Sequence, residues 1–204
     1  MPDAVLKKII LIGLLSFSLF TLLAAALFVR QFPDSELATF SASVGNLDDC
    51  QVGGSPNTMR AGNVIWWYFL LPGVSESYLE EGNSFVSSAF HALTCNPGDP
   101  GYEANLQRVK RLVKHAIKHG ESIDSLGINR FNLFHGAVIR SDLEFAQFLI
   151  ANGADPLAVT RDDAVWYAKD YGKLNAFQLA EALPTNAWPV SDEMMAYLQQ
   201  LKKR

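Results

Sequence analysis

Four histidines and two cysteines are the side chains on which chemistry would have to rest. His115 and His119 stand four residues apart in a stretch that reads as helix, a spacing that puts two imidazoles on one face as a metal site needs. Arg111, Lys114 and Lys118 share that stretch, and their charge repels a divalent ion, so no metal site is expected. His91 and His135 have no carboxylate or serine at motif spacing to make either a general base. Neither Cys50 nor Cys95 carries a nucleophile signature. The chain contains no P-loop, dinucleotide fingerprint, G-x-S-x-G elbow or H-E-x-x-H. The expectation is therefore a protein that is not an enzyme, with no catalytic residues, no cofactor and no small-molecule substrate.

Composition narrows the class further. The 204 residues are 49% hydrophobic and 19% charged, with a net charge of −4. A mildly acidic chain lacks the electrostatic footprint for nucleic acid, and it is too apolar to be disordered as a whole. One domain with some additional chain is the size expected.

The apolar residues are concentrated at one end. Residues 9–29 are 21 consecutive uncharged positions, broken only by Gly13, Ser16, Ser18 and Thr21. As a helix they would span about 31 Å, the thickness of a bilayer core. Lys7 and Lys8 precede the run, which keeps residues 1–8 in the cytoplasm and sends the remainder outward. The expected location is the inner (plasma) membrane, single-pass, with the C-terminal domain in the periplasm. A cleaved signal peptide, cut after Ala26, is the rival reading. Either way the domain meets an oxidising compartment, where Cys50 and Cys95 are expected to form a disulfide. The absence of an N-x-[ST] acceptor agrees with a bacterial envelope.

Elements able to position such residues come from an internal repeat. Asn132-Leu133-Phe134-His135-Gly136-Ala137 is followed by a polar turn at 140–142. The apolar stretch 143–150 comes next, and then Gly153-Ala154-Asp155-Pro156. This resembles the ankyrin repeat, whose units open on T-P-L-H-x-A and close on a G-A-D-x turn. Ser88-Ala89-Phe90-His91-Ala92-Leu93 reads as the opening of an upstream copy, whose second helix covers 106–119 and closes at Gly120. Gly120 and Gly153 are 33 residues apart, the ankyrin period. Downstream, Ala164-Val165-Trp166-Tyr167-Ala168 reads as a first helix, with Trp166 replacing the histidine, and 176–180 as a second helix. The expected fold is all-α: a transmembrane helix at 9–29, a degenerate ankyrin-like region at 30–83, and repeats over 84–188. A capping helix over 189–204 completes a solenoid of about three to four repeats. Within 30–83, residues 40–48 read as a degenerate first helix and turn, 50–61 as an insertion and 63–71 as a second helix.

The resemblance implies roles. His91 and His135 would tie neighbouring repeats through hydrogen bonds, and Gly120 and Gly153 would close second helices. The concave face, made of first helices and inter-repeat turns, would include Arg130, Asn132, Asp162 and Asp163 as candidate partner-binding residues. Two other features compete as surfaces. Arg108, Lys110, Arg111, Lys114 and Lys118 form a basic stripe suited to an acidic partner or a lipid surface. The run 64–71 is too short to span a membrane, yet Trp66 and Trp67 point in different directions on a helix, leaving one as an interface anchor. Together these features imply one protein partner. By analogy of layout the chain is similar to immunity proteins that neutralise toxins or effectors in the periplasm, such as antibacterial phospholipases. The alternative is an inner-membrane scaffold or adaptor for an envelope complex.

Overall fold

The computed structural model describes residues 34–43, 47–127, 130–166, 169–184 and 189–203. The expected membrane-spanning run 9–29 and the short segment before it lie outside these residues. Among the described residues no helix is long and apolar enough to cross a membrane. The described chain is helical apart from one short ladder. In order it forms α1 (Asp34–Ala42), α2 (Leu47–Gln51), α3 (Pro56–Phe69), α4 (Val74–Glu80), α5 (Phe85–Ala92) and α6 (Tyr102–Lys118). Helices α7 (Leu133–Ile139) and α8 (Leu143–Ala151) follow, then strands β1 (Val165–Trp166) and β2 (Lys169–Asp170). Helices α9 (Ala176–Ala182) and α10 (Asp192–Lys202) complete it.

Local chemistry explains where the helices begin. Ser55 caps α3 ahead of Pro56, which occupies a position where no N–H is needed. Ser84, Asn132, Asp142, Asn175 and Ser191 each accept a backbone N–H three residues on, opening α5, α7, α8, α9 and α10. Each such cap is worth about 1 kcal/mol.

The helices stack in two rows. Helices α1, α5, α7 and α9 pack side by side in one row, while α6, α8 and α10 pack in the other. Pairs α1–α3, α5–α6 and α7–α8 join the rows. Between them lies a continuous core that includes Phe69, Phe85, Phe134, Phe145, Leu106, Leu112 and Leu149. Each large apolar side chain buried there contributes about 2–3 kcal/mol. Close approach of α5 and α7 requires Gly136, because a Cβ at that position would sit 2.8 Å from the Phe90 ring. A second cluster of Phe131, Ile139, Ala164, Tyr171, Leu179 and Leu183 seats the ladder and its connector against α7 and α9.

The structure corrects the expected register on both sides of the central unit. Val165 and Trp166 are not helical; they pair antiparallel with Asp170 and Lys169. Helix α9 packs on α7, in the row of α1 and α5, and α10 packs on α8. Upstream, α5 begins after Ser84, four residues before the expected opening at Ser88. Aligned on their caps, the three openings are Ser84-Phe85-Val86-Ser87-Ser88-Ala89, Asn132-Leu133-Phe134-His135-Gly136-Ala137 and Asn175-Ala176-Phe177-Gln178-Leu179-Ala180. In the N-terminal region, α3 starts at Pro56, within the expected insertion, and α2 occupies part of the rest.

Candidate functional site

The connector from α8 to α9 carries a cluster of exposed charges. Arg130 Nε donates to Asp163 Oδ2 at 3.1 Å, and Arg161 Nε lies 3.1 Å from Asp163 Oδ1. Lys173 Nζ lies 2.9 Å from Asp162 Oδ2. A backbone bond from Arg161 N to Arg130 O, at 3.2 Å, holds the two loops together. The structure thus brings Arg130, Asp162 and Asp163 to one edge, and it adds Arg161 and Lys173. Arg130 and Lys173 have φ of 67° and 60°, left-handed backbone that costs a residue with a Cβ about 1 kcal/mol or more. Strain of this kind persists where surrounding contacts fix the loop shape. It makes the edge a preorganised set of alternating charges.

Asn132 does not belong to that edge. Only 1% exposed, its side chain accepts from His135 N at 2.9 Å. His135 Nδ1 in turn accepts from Asn132 N at 3.3 Å, which closes a capping box. Because Nδ1 accepts, the ring proton sits on Nε2. Among the described residues that atom has no partner at hydrogen-bonding distance. Burial lowers the His135 pKa to about 4, and the backbone at Ala158 and Leu174 offsets this only in part. Both backbone positions lie in the connector leading to α9, so His135 sits between one helix pair and the next.

His91 differs from its expected role. It is exposed in the last turn of α5, and the position equivalent to His135 is Ser87. Gly120 and Gly153 do close α6 and α8. Their φ values are 85° and 95°, and each ends its helix with a paired return of N–H groups. Gly120 N donates to Ile117 O and Glu121 N to Ala116 O; Gly153 N donates to Ile150 O and Ala154 N to Leu149 O. Cys50 and Cys95 are bridged, with Cα atoms 5.4 Å apart, and both are buried.

The basic stripe on α6 is also divided. Arg108 is buried and donates to Ser41 O, Met59 O and Asn63 Oδ1, so it fastens α1 and α3 to α6 and is not a surface residue. Arg111 lies over the Trp66 ring at 4.3 Å, and burial with the Arg108 charge lowers its pKa to about 10. Lys110 pairs with Glu144 at 2.6 Å and, with Lys114, approaches the Phe148 ring. Lys114 and Lys118 remain exposed.

His115 has a partner that sequence spacing gives no hint of. Its Nε2 lies 2.7 Å from Ser75 Oγ, and the pair is buried. Ser75 Oγ also donates to Phe69 O at 2.9 Å, so the hydroxyl proton is committed and His115 Nε2–H is the donor to serine. A serine in that state is not activated for attack. Burial, then the His119 and Lys118 charges, lowers His115 to about 4. The His119 ring lies 4.5 Å from that of His115, tilted by 49°, and its Nδ1 is 3.4 Å from Glu76 Oε1. Among the described residues no group of three or more His, Cys, Asp or Glu converges as a metal site would.

Two more buried connectors are absent from any motif. Asn105, fully buried, donates to Ala42 O and Ala92 O and accepts from Thr94 N and Cys95 N. Glu121 accepts from Ser84 Oγ at 2.6 Å and Phe85 N at 2.8 Å, so the turn closing α6 caps α5. No protein-family model matches the chain, and no curated protein or solved structure matches it.

Proposed function

We propose that the chain is a membrane-anchored ankyrin-repeat module that faces the periplasm and binds one protein partner through the edge at the α8–α9 connector. The observation that carries this reading is the placement of Arg130, Arg161, Asp162, Asp163 and Lys173 on one strained edge beside a row of stacked first helices. A stack of helix pairs presents an extended surface, and the cap-aligned openings at Ser84, Asn132 and Asn175 support the repeat. The disulfide, an oxidising-compartment feature, supports export. By analogy of layout the partner is a secreted toxin or effector enzyme, and binding neutralises it.

The test is affinity capture of envelope proteins on residues 31–204, washed at high salt and identified by mass spectrometry. Capture by Arg130→Glu combined with Asp162→Lys is compared with capture by the unchanged domain. The exposed pairs broken by these changes are worth about 0–1 kcal/mol each, so the fold should survive. Binding to one partner should weaken by several kcal/mol, because reversal adds repulsion to lost contact. Equal capture by both proteins would place the interface elsewhere. Recovery of several membrane proteins together would favour a scaffold.

A further inference from the structure

The last turn of α3 is unlike the rest of its surface. Trp67, Leu70 and Leu71 are 69%, 46% and 47% exposed. Trp67 stands in the last turn of α3, and Leu70 and Leu71 are the cap residue and the one after it. Leu70 and Leu71 line a cavity of about 180 Å³ together with Lys118. Lys118 in turn lines a groove with Lys114, Arg111 and Trp66. The acidic neighbour, Glu76, lies 3.4 Å from His119 Nδ1. An apolar tip flanked by exposed lysines therefore stands out on a chain whose net charge is −4.

The start of α1 lies at the same end of the domain as this tip. Ala42 O accepts from Asn105, while Ser41 O accepts from Arg108 and Arg111. Moving toward the start of α1 is thus moving toward the end of α6, so α1 runs antiparallel to α6. Arg108 also bonds Met59 O and Asn63 in the first half of α3. Asp34 is therefore at the end where Leu70 follows α3 and Lys118 closes α6. Five Cα–Cα steps separate Val29, the last residue of the apolar run, from Asp34. They reach at most about 17 Å.

We propose that this end of the domain docks on the anionic bilayer surface, with Trp67, Leu70 and Leu71 entering the headgroup layer and Lys114 and Lys118 meeting lipid phosphates. The proposal rests on the reading that residues 9–29 span that bilayer. Tryptophan and leucine on a short tip suit the interface between headgroups and acyl chains. Lysines within a Debye length of an anionic leaflet add to the attraction. Docking here leaves the Arg130–Asp163 edge for a protein partner.

The test uses the full-length protein reconstituted in vesicles of phosphatidylethanolamine and phosphatidylglycerol, with and without bromine on the upper acyl chain. Carbonate extraction is run on the same vesicles. The expected result is a carbonate-resistant chain whose tryptophan fluorescence is quenched by bromolipid. That quenching should fall by more than half in Trp67→Phe. It should fall at least twofold in Lys114→Glu with Lys118→Glu, or when phosphatidylcholine replaces the anionic lipid. All these side chains are exposed, and unchanged melting curves would confirm that the variants fold. A carbonate-resistant chain whose quenching is the same in Trp67→Phe as in the unchanged protein would overturn the docking and leave the anchor standing. The docking is overturned in the same way if Trp67 escapes bromolipid yet is shielded from aqueous iodide, which would mean that a protein or a second copy covers it. Release into the carbonate supernatant would overturn the anchor and the docking with it.

Discussion

Acidification from pH 7 to pH 4 should remove stability from residues 31–204 through two identifiable side chains. His115 and His135 are 7% and 1% exposed, and burial is the main reason each is lowered to about 4 from an ordinary 6.5. Above pH 6.5 both rings are neutral in the folded and the unfolded chain, so they contribute no slope. Below it the unfolded chain takes up protons that the folded chain refuses until about pH 4. Stability therefore falls as pH falls across that window and levels off beneath it. The loss amounts to about 3 kcal/mol for each histidine. Asp142 and Asp124 act in the opposite sense: burial raises both, so protonating them favours the folded chain and recovers part of the loss at the acid end.

Urea unfolding midpoints at pH 7, 6, 5 and 4 would measure this. With a slope of about 2 kcal/mol per molar urea for a domain of this size, one histidine moves the midpoint by about 1.5 M. The informative variant is His135→Gln. Gln178 already fills the equivalent position, where its side-chain oxygen accepts from Asn175 N at 3.0 Å. A glutamine at 135 should close the same capping box without titrating, and so should remove about half of the pH-dependent loss. A wild-type acid loss in His135→Gln would refute the argument that a buried neutral His135 sets the slope.

Asn105→Leu removes four hydrogen bonds and takes their partner from the buried Ala42 O and Cys95 N, which should cost about 3–5 kcal/mol, read as a melting temperature lower by about 10 °C. Cys50→Ser with Cys95→Ser opens a loop of about 46 residues and should cost about 4 kcal/mol in the chain-entropy model. Non-reducing electrophoresis of the unchanged protein should show a monomer that shifts on reduction, and two alkylatable thiols would contradict it. Gly136→Val should cost about 1–3 kcal/mol by driving a branched side chain into Phe90, and Phe90→Ala should recover part of that cost in a double-mutant thermal melt.

The helical class is legible in the sequence because apolar residues recur at helical spacing and the glycine turns lie where left-handed residues are needed. Helices α7 and α8 stand where the sequence puts them, since the cap, the turn between them and the closing glycine all agree. The flanking helices stand elsewhere for one physical reason. A histidine does not mark the opening of a helix. What the opening requires is an N-cap acceptor and, five residues on, an alanine small enough to face the next helix. Ser84 with Ala89, Asn132 with Ala137 and Asn175 with Ala180 satisfy that rule. The side chain three after the cap is serine, histidine or glutamine. His91 therefore draws a histidine-based reading four residues forward. Trp166, which aligns with the histidine of a first helix, lies instead in the ladder that precedes the real opening.

Polarity alone does not separate surface from joint. Arg130 and Asn132 are two residues apart, and both read as turn residues open to a partner. One is half-buried and paired across the connector, while the other is buried because its amide caps the start of α7. The same division runs through α6, where Arg108 faces inward to Ser41 and Met59 and Lys114 faces outward. Each inward polar group satisfies backbone atoms from a different part of the chain: Asn105 those of α1 and α5, Glu121 those at the start of α5. Their partners lie up to 67 residues away, so no local spacing announces them. In a stack of short helices every helix exposes unpaired backbone at its ends. The polar side chains nearest those ends are recruited first to satisfy it. Charges that answer no such backbone group stay at the surface: those of the connector edge pair with one another, and Lys114 and Lys118 stand exposed along α6.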